Sequence, residues 1–431
     1  MTPSRILVLG AGGREHALAW RLARDPHRPT ILVAPGNDGM GDGAVRLAVD
    51  ESDADALVRT CRSRDVGLVV VGPEGPLAAG VADALRAAGI ATFGPSRGAA
   101  RLESSKWFAK EVMREAGIPT AAAAAFETSA PALARLRASR PPFVVKADGL
   151  AAGKGVLVTS DAGEAERFVL ACLVDGRFGE GGRRVVIEEH LTGEEASIMA
   201  VCDGRDFVLL PPARDYKRAE DGDGGPNTGG MGSFAPTPSV TPELERAVGE
   251  TVVAPLLRAM AARGVPFAGA LYVGLMLTKA GPRVVEFNVR FGDPETQSIV
   301  PLLTGSFTRL LASAAAGALE RDAVGRAAGA AVTVAVVDEG YPSAPRGDGV
   351  LEGLDRAEAA GAIVFHAGTR RDGARWRVSG GRAAYVTATG DSVDQARAGA
   401  YDALGRLSGT HWRARRDIAG AGSAAAHPSG A

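Results

Sequence analysis

The sequence predicts a multidomain protein of mixed α/β and α+β class: an N-terminal Rossmann-like parallel sheet, an antiparallel central region and a small C-terminal α+β domain. Three observations carry that prediction. The chain has 431 residues, enough for two to four domains at roughly 100–200 residues each. Apolar runs alternate with helical spacing over the first hundred or so residues, the βαβ signature of a parallel sheet. Further on, strand-like runs succeed one another, as antiparallel pairs do.

The elements follow in order. Residues 6–9, Ile-Leu-Val-Leu, read as a buried strand, Gly10-Ala11-Gly12-Gly13 as a tight turn, and 14–25 as a helix with Leu18 and Leu22 four apart. A second strand at 30–33 ends in Ala34-Pro35-Gly36-Asn37, and a third at 68–71 ends in Gly72-Pro73-Glu74 before a helix over 77–88. Ligands of such a sheet sit at the carboxyl ends of its strands. This N-terminal domain is placed at 1–104. The central domain, 105–310, opens on a helix to Ala116 and carries strands at 143–146, 156–159, 185–187, 197–201, 270–277 and 283–289, with a lid subdomain at about 120–192 and a glycine-rich loop at 221–232. A helical connection over 311–329 leads to a C-terminal domain at 330–419, with strands at 332–337, 362–365 and 384–389 and a helix at 393–407. The Ala/Gly/Ser-rich tail, 420–431, is predicted to be disordered.

Charge excludes some functions. With 49 Lys+Arg against 50 Asp+Glu, the net charge of −1 gives no global basic field for nucleic acid or an anionic membrane, so any anion site must be local. Nothing points to a protein partner. Cys61, Cys172 and Cys202 are widely spread without a C-x-x-C, which fits neither a disulfide framework nor a thiolate metal site. No apolar stretch reaches the roughly 18 residues of a membrane span, and the first residues lack a signal-peptide core, so a cytoplasmic location is expected.

Several motifs carry chemistry. The first glycine turn fails the G-x-G-x-x-G pattern, because Glu15 stands at the third glycine and the second strand ends in Ala34-Pro35, with no acidic residue for a ribose; this speaks against NAD. Its N–H groups, at a helix N-terminus beside Arg14, suit either a phosphate or a purely structural turn. The stretch from Lys146 to Gly155 is no Walker A: Asp148 replaces the first glycine, Gly155 the hydroxyl, and a strand follows. A loop of three glycines and two lysines between strands can fold over a polyphosphate, or be a mobile hairpin.

The segment 284–290 is the most informative, because strand side chains alternate faces. Val285, Phe287 and Val289 are expected to pack inward, leaving Glu286, Asn288 and Arg290 on the other face, roughly 6–7 Å apart. Two oxygen donors suit Mg²⁺, which takes one or two protein ligands plus substrate phosphates, and the turn with Asp293 and Glu295 faces the same pocket. The plainer alternative is a half-exposed strand with a surface ion pair. The carboxylates of Glu188, Glu189, Glu194 and Glu195 stand where an adenine edge and ribose hydroxyls can be read, although alone such a cluster is usually a solvated loop, and Asp215-Tyr216-Lys217-Arg218 with Gly225–Gly232 suits a substrate-gripping loop. His16 and His366 read as packing residues.

Taken in order, G-A-G-G-R-E-H-A-L, A-P-G-N, V-G-P-E, V-V-K-A-D-G-L-A-A-G-K-G, E-E-H-L-T-G-E-E-A-S, G-P-N-T-G-G-M-G and E-F-N-V-R-F-G-D-P-E resemble the phosphoribosylamine–glycine ligase family and the wider ATP-grasp superfamily, over 5–418. The resemblance implies a central ATP-grasp fold and a purine-biosynthetic ligation. ATP phosphorylates glycine, and the amine of 5-phosphoribosylamine attacks the glycyl phosphate. It implies that Lys106, Lys146, Gly153, Lys154 and Gly155 hold the phosphates of ATP, and Glu188, Leu191 and Glu195 its adenine and ribose. By the same resemblance Glu286 and Asn288 bind Mg²⁺ or Mn²⁺; Arg290, Asp215 and Asp293 orient glycine; and Gly12, Gly13, Arg14 and Asn37 hold the sugar phosphate. Two departures stand out. Tyr216 occupies a position where the family usually has His, and Leu271–Met276 lacks the metal-binding carboxylate common in ATP-grasp enzymes. The rival readings are an ATP-grasp ligase for another carboxylate and a non-catalytic nucleotide-binding module; a module has no need of Glu286, Asn288 and Arg290 together.

Overall fold

The computed structural model describes residues 2–41, 43–151 and 154–420. Gly153, assigned to the phosphates, and the tail from 421 onward lie outside the described residues. The first three predicted strands are Arg5–Gly10, Thr30–Pro35 and Leu68–Val71, joined by the short Val45–Arg46 and Thr92–Phe93 in a five-stranded, all-parallel sheet. Arg5–Gly10 lies between Thr30–Pro35 and Leu68–Val71. The chain therefore leaves it in one direction and returns on the other side, which opens a crevice at its carboxyl end. Ile6, Leu7, Val8 and Leu9 are wholly buried, as an aliphatic strand covered on both faces should be. The helix predicted at 77–88 is instead two, Glu74–Ala79 and Val81–Ala87, broken at Gly80, whose φ of 93° favours glycine.

Two four-stranded antiparallel sheets form the centre. One orders Phe207–Leu209, Glu194–Asp203, Ala268–Thr278 and Gly281–Asn288; the other orders Ala123–Phe126, Val185–Glu188, Phe143–Ala147 and Val156–Thr159. The helices Ser129–Arg137 and Ala162–Leu173 cover the second sheet with Leu136, Phe168 and Val169. The sheets are tied where Val284 N donates to Pro119 O at 2.8 Å and Thr120 Oγ1 donates to Val284 O at 2.6 Å.

A β-bulge corrects one inward-facing residue. Gly274 pairs with Glu286 but Leu275 pairs with Val284, leaving Val285 as the extra residue. Val284, not Val285, fills the core, while Phe287 and Val289 are buried as predicted.

In the C-terminal part, Ala330–Asp338, Arg382–Gly390 and Ile363–His366 form one sheet, which Arg214–Asp215 and Gly232–Ala235 extend from the central region. The connection predicted as helical over 311–329 is helical only to Ala315, in Phe307–Ala315; Val324–Arg326 is a strand paired with Leu303–Gly305. The loop at 221–232 carries half of a hairpin, Arg218–Glu220 with Gly224–Asn227. Among the described residues no helix is long and apolar enough to cross a membrane.

Candidate active site

The crevice at the parallel sheet opens into a cavity of about 710 Å³, lined among others by Gly12, Arg14, Pro35, Glu51, Pro73 and Asp293. Glu15 explains why the dinucleotide pattern fails here. Its carboxylate accepts from Gly12 N at 2.8 Å and from Arg14 Nε at 2.5 Å, closing the helix N-terminus from within. A Cβ on Gly10, Gly12 or Gly72 would come within 2.7 Å of that side chain, so these glycines make room for Glu15. Gly13 is required for another reason: its Cβ would lie 2.2 Å from the Tyr385 ring.

Asn37 serves the fold. Its amide donates to Ala11 O at 2.8 Å and His366 O at 2.9 Å, so both of its hydrogens are used. His16 and His366 pack together, with His366 N donating to His16 Nδ1 at 2.8 Å. Burial lowers their pKa values to about 3 and about 4. No motif marks Glu51, whose carboxyl is pushed up to about 7 by burial and by Glu15 and Asp50.

Between the antiparallel sheets, Lys146 lies 3.0 Å from Glu188 Oε2 and donates to Val285 O at 3.2 Å, the carbonyl that the bulge frees. Lys110, which the motifs did not single out although it lies one helical turn after Lys106, reaches the same Glu188 oxygen at 3.3 Å and Thr120 Oγ1 at 2.8 Å. Burial lowers its pKa to about 8. Glu188 Oε1 is buried with no hydrogen-bond partner among the described residues. Lys106 opens the helix Lys106–Glu115, capped by Ser105, and its ammonium donates to Gly149 O at 3.0 Å. Asp148 accepts from Trp107 N at 2.7 Å, so the residue that spoils a Walker A caps this helix. Burial and neighbouring Lys146 both depress the Lys106 pKa. Gly155 is buried, Leu191 half-buried beyond the strand Val185–Glu188, and Lys154 lines a separate 190 Å³ cavity with Asn227, Thr228 and Tyr341.

Glu286, Asn288 and Arg290 share one half-exposed face, next to these lysines and away from the apolar interior. Burial would raise the Glu286 pKa, but Lys217, Lys146 and Lys106 bring it below the usual carboxylate range. Arg290 donates to Asn288 Oδ1 at 3.2 Å and sits 3.4 Å from Glu74 and 3.3 Å from Glu103. Against the effect of burial, Glu103 and Glu74 raise the Arg290 pKa above its ordinary value. Neither carboxylate was foreseen, because both lie nearly two hundred residues or more away in sequence. Among the described residues no group of three or more His, Cys, Asp or Glu side chains could hold a metal ion. One carboxylate and one amide oxygen fit an ion that takes its other ligands from phosphates and water.

Lys217 ties the far side of this face: its ammonium lies 3.0 Å from Glu195 and 3.8 Å from Glu286. Glu195, assigned to ribose, is thus ion-paired. Burial, with Glu295 and Glu195 nearby and against the pull of Lys217, pushes Asp215 up to about 7. Tyr216 is buried with its hydroxyl accepting from Ala419 N at 2.9 Å. Asp293 lines the cavity at the parallel sheet: it pairs with Arg382 at 2.8 Å and accepts from Gln297 Nε2 at 2.7 Å. Arg382 and Arg14 hold its carboxyl below the usual range in spite of burial.

The chain matches three family models in succession: phosphoribosylglycinamide synthetase N domain over residues 4–103, ATP-grasp (A) domain over 104–296 and C domain over 331–421. A phosphoribosylamine–glycine ligase of Mesorhizobium japonicum is 45% identical over 413 residues, covering 96% of this chain and 97% of its own. One of Caulobacter vibrioides is 47% identical, covering 94% and 95%. The crystal structure of phosphoribosylamine–glycine ligase from Thermotoga maritima superposes with a TM-score of 0.82 at 33% identity, covering 96% of this chain and 100% of that one. A biotin carboxylase domain of Hydrogenobacter thermophilus 2-oxoglutarate carboxylase shares the fold alone, with a TM-score of 0.73 at 16% identity over 96% of this chain and 92% of that one. The chain belongs to the phosphoribosylglycinamide synthetase family of ATP-grasp ligases.

Proposed function

We propose that this protein joins glycine to 5-phosphoribosylamine at the expense of ATP, giving glycinamide ribonucleotide, ADP and phosphate. The observation that carries the reading is the meeting, on one face, of Glu286, Asn288 and Arg290 with the lysine-lined cleft between the sheets. Phosphoryl transfer depends on positioning and charge neutralisation more than on a protein nucleophile, and this cleft supplies both.

In this reading Lys106 and Lys146 neutralise the phosphates, while Glu188, one of whose buried oxygens has no partner among the described residues, faces the adenine side with Leu191 and Glu195. Lys154 and Gly155 belong to the loop that covers the phosphates. Glu286 and Asn288 would hold Mg²⁺, which supplies charge neutralisation at the terminal phosphates. Arg290, fixed by Glu74 and Glu103, and Asp215 orient glycine so that a carboxylate oxygen bonds to the γ-phosphorus as the bond to ADP breaks. The crevice lined by Gly12, Arg14 and Asp293 holds phosphoribosylamine. Its amine forms the C–N bond to the glycyl carbonyl, phosphate leaves with the bonding pair, and the amine loses a proton. Enclosing the acyl phosphate protects it from hydrolysis.

Asn37 acts through the turn it braces. The three cysteines are free and buried, which supports a reducing, cytoplasmic setting. The test is ADP formation from Mg-ATP with glycine and freshly generated phosphoribosylamine, each left out in turn. Turnover should need all of them; ADP release that continues without glycine but requires another carboxylate would assign a different ligase.

A further inference from the structure

Residues 413–419 lie against the back of the segment that carries Asp215 and Lys217. Arg413 Nη1 donates to Ala219 O at 2.7 Å and Arg415 Nη1 to Arg218 O at 2.9 Å. Arg416 N donates to Asp221 Oδ1 at 2.8 Å, Asp417 Oδ2 accepts from Gly222 N at 2.8 Å, and Ala419 N donates to the Tyr216 hydroxyl at 2.9 Å. Arg415 is 1% exposed, and its guanidinium is spent on Arg218 O, Asp223 and Asp417. It also lies 5.0 Å from the Tyr216 ring centre.

Alternation gives this contact its meaning. Extended pairing continues through the segment, with Tyr216 N donating to Gly232 O and Thr228 N to Lys217 O. Asp215 and Lys217 therefore face the site, and Tyr216 between them faces the opposite way, toward residues 413–419. The adjoining hairpin turns through Gly222 and Gly225, at φ 69° and 74°, and glycines there add backbone freedom that an outside tether removes. The Tyr216 hydroxyl, accepting from Ala419 N, joins the two.

We propose that residues 413–419 form a positioning strap for the active site, acting through Arg415 and the Tyr216–Ala419 hydrogen bond to set Asp215 and Lys217 against glycine and Glu286. The proposal rests on the site reading given above. Arg415 and Tyr216 touch no reacting atom and are positioning residues.

The test uses Tyr216→Phe, which keeps the ring and removes only the acceptor, and Arg415→Gln and Arg415→Lys, all in the full chain. KM is measured separately for glycine and phosphoribosylamine, together with Tm. The glycine KM should rise about fivefold in Tyr216→Phe, the value of one hydrogen bond, and further in Arg415→Gln, with partial recovery in Arg415→Lys. The phosphoribosylamine KM should stay within about twofold, since that cavity is built by other elements. An unmoved glycine KM in chains that keep their Tm overturns the strap, as do both KM values rising together with a fallen Tm. A Glu286→Gln chain run alongside separates the two readings: full activity there overturns the site assignment itself, whereas lost activity there with an unmoved glycine KM in the strap variants overturns the strap alone.

Discussion

The Lys146 ammonium lies 3.0 Å from the Glu188 carboxylate, a buried pair that joins the lysine proposed to neutralise phosphate to the glutamate proposed to face the adenine. Burying such charges costs several kcal/mol per ion, and a lone partner left behind would be strongly destabilising. Lys110, on the same Glu188 oxygen, supplies a second counter-charge, so Lys146 can turn toward a nucleotide without leaving Glu188 unpaired.

Lys146→Met should therefore fold. It should raise the KM for ATP by roughly 10- to 100-fold, the worth of a charged hydrogen bond at ~1.5–3 kcal/mol. Steady-state kinetics with ATP varied checks this; an unchanged KM and kcat would remove Lys146 from the phosphate site.

Arg290→Ala should lower kcat by about a hundredfold or more, the usual loss on deleting a charge-stabilising donor. It should also lower Tm, because Glu74 and Glu103 lose the cation between them. Arg290→Lys keeps the charge but not the planar fork, and should recover Tm more than kcat. A near-normal kcat in Arg290→Ala would leave this arginine only a packing role.

Glu51 sets a pH dependence whose sign is fixed. Its carboxyl is raised from 4.5 to about 7, so the folded chain holds a proton that the unfolded chain has released across that window. The associated stability is whole below about 4.5 and is lost as pH rises through about 7. Thermal melts should show the wild-type Tm falling relative to that of Glu51→Gln across this range. Parallel curves would show that Glu51 ionises alike in both states.

Gly13→Ala should cost about 1–3 kcal/mol by overpacking against the buried Tyr385 ring. Denaturant melts measure it. A neutral result would mean that the C-terminal sheet can move away from the first helix.

Much of this was legible in the sequence. Aliphatic runs located the strands to within a few residues, and period-two spacing put Glu286, Asn288 and Arg290 on one face. The bulge at Val285 was not legible, because it depends on the register of the partner strand Ala268–Thr278. The partners Glu103, Arg382 and Lys110 escaped for a related reason: pairs such as Asp293–Arg382 join residues 89 positions apart, and no local pattern encodes them. Glu15 was noticed only as a missing glycine, while its positive role as an internal cap needed the turn in three dimensions. The strand Val324–Arg326 was hidden in an alanine-rich stretch with helical composition.

Mn²⁺ binding followed by electron paramagnetic resonance, with and without ATP, in the wild type and in Glu286→Gln with Asn288→Ala, probes the convergence of ion, phosphate and protein oxygens most directly. The wild type should bind the ion tightly only when ATP is present, and the double variant should weaken that nucleotide-dependent binding by more than about tenfold. Equal Mn²⁺ affinity in the two proteins at saturating ATP would contradict the assignment of this face to the metal and the terminal phosphate.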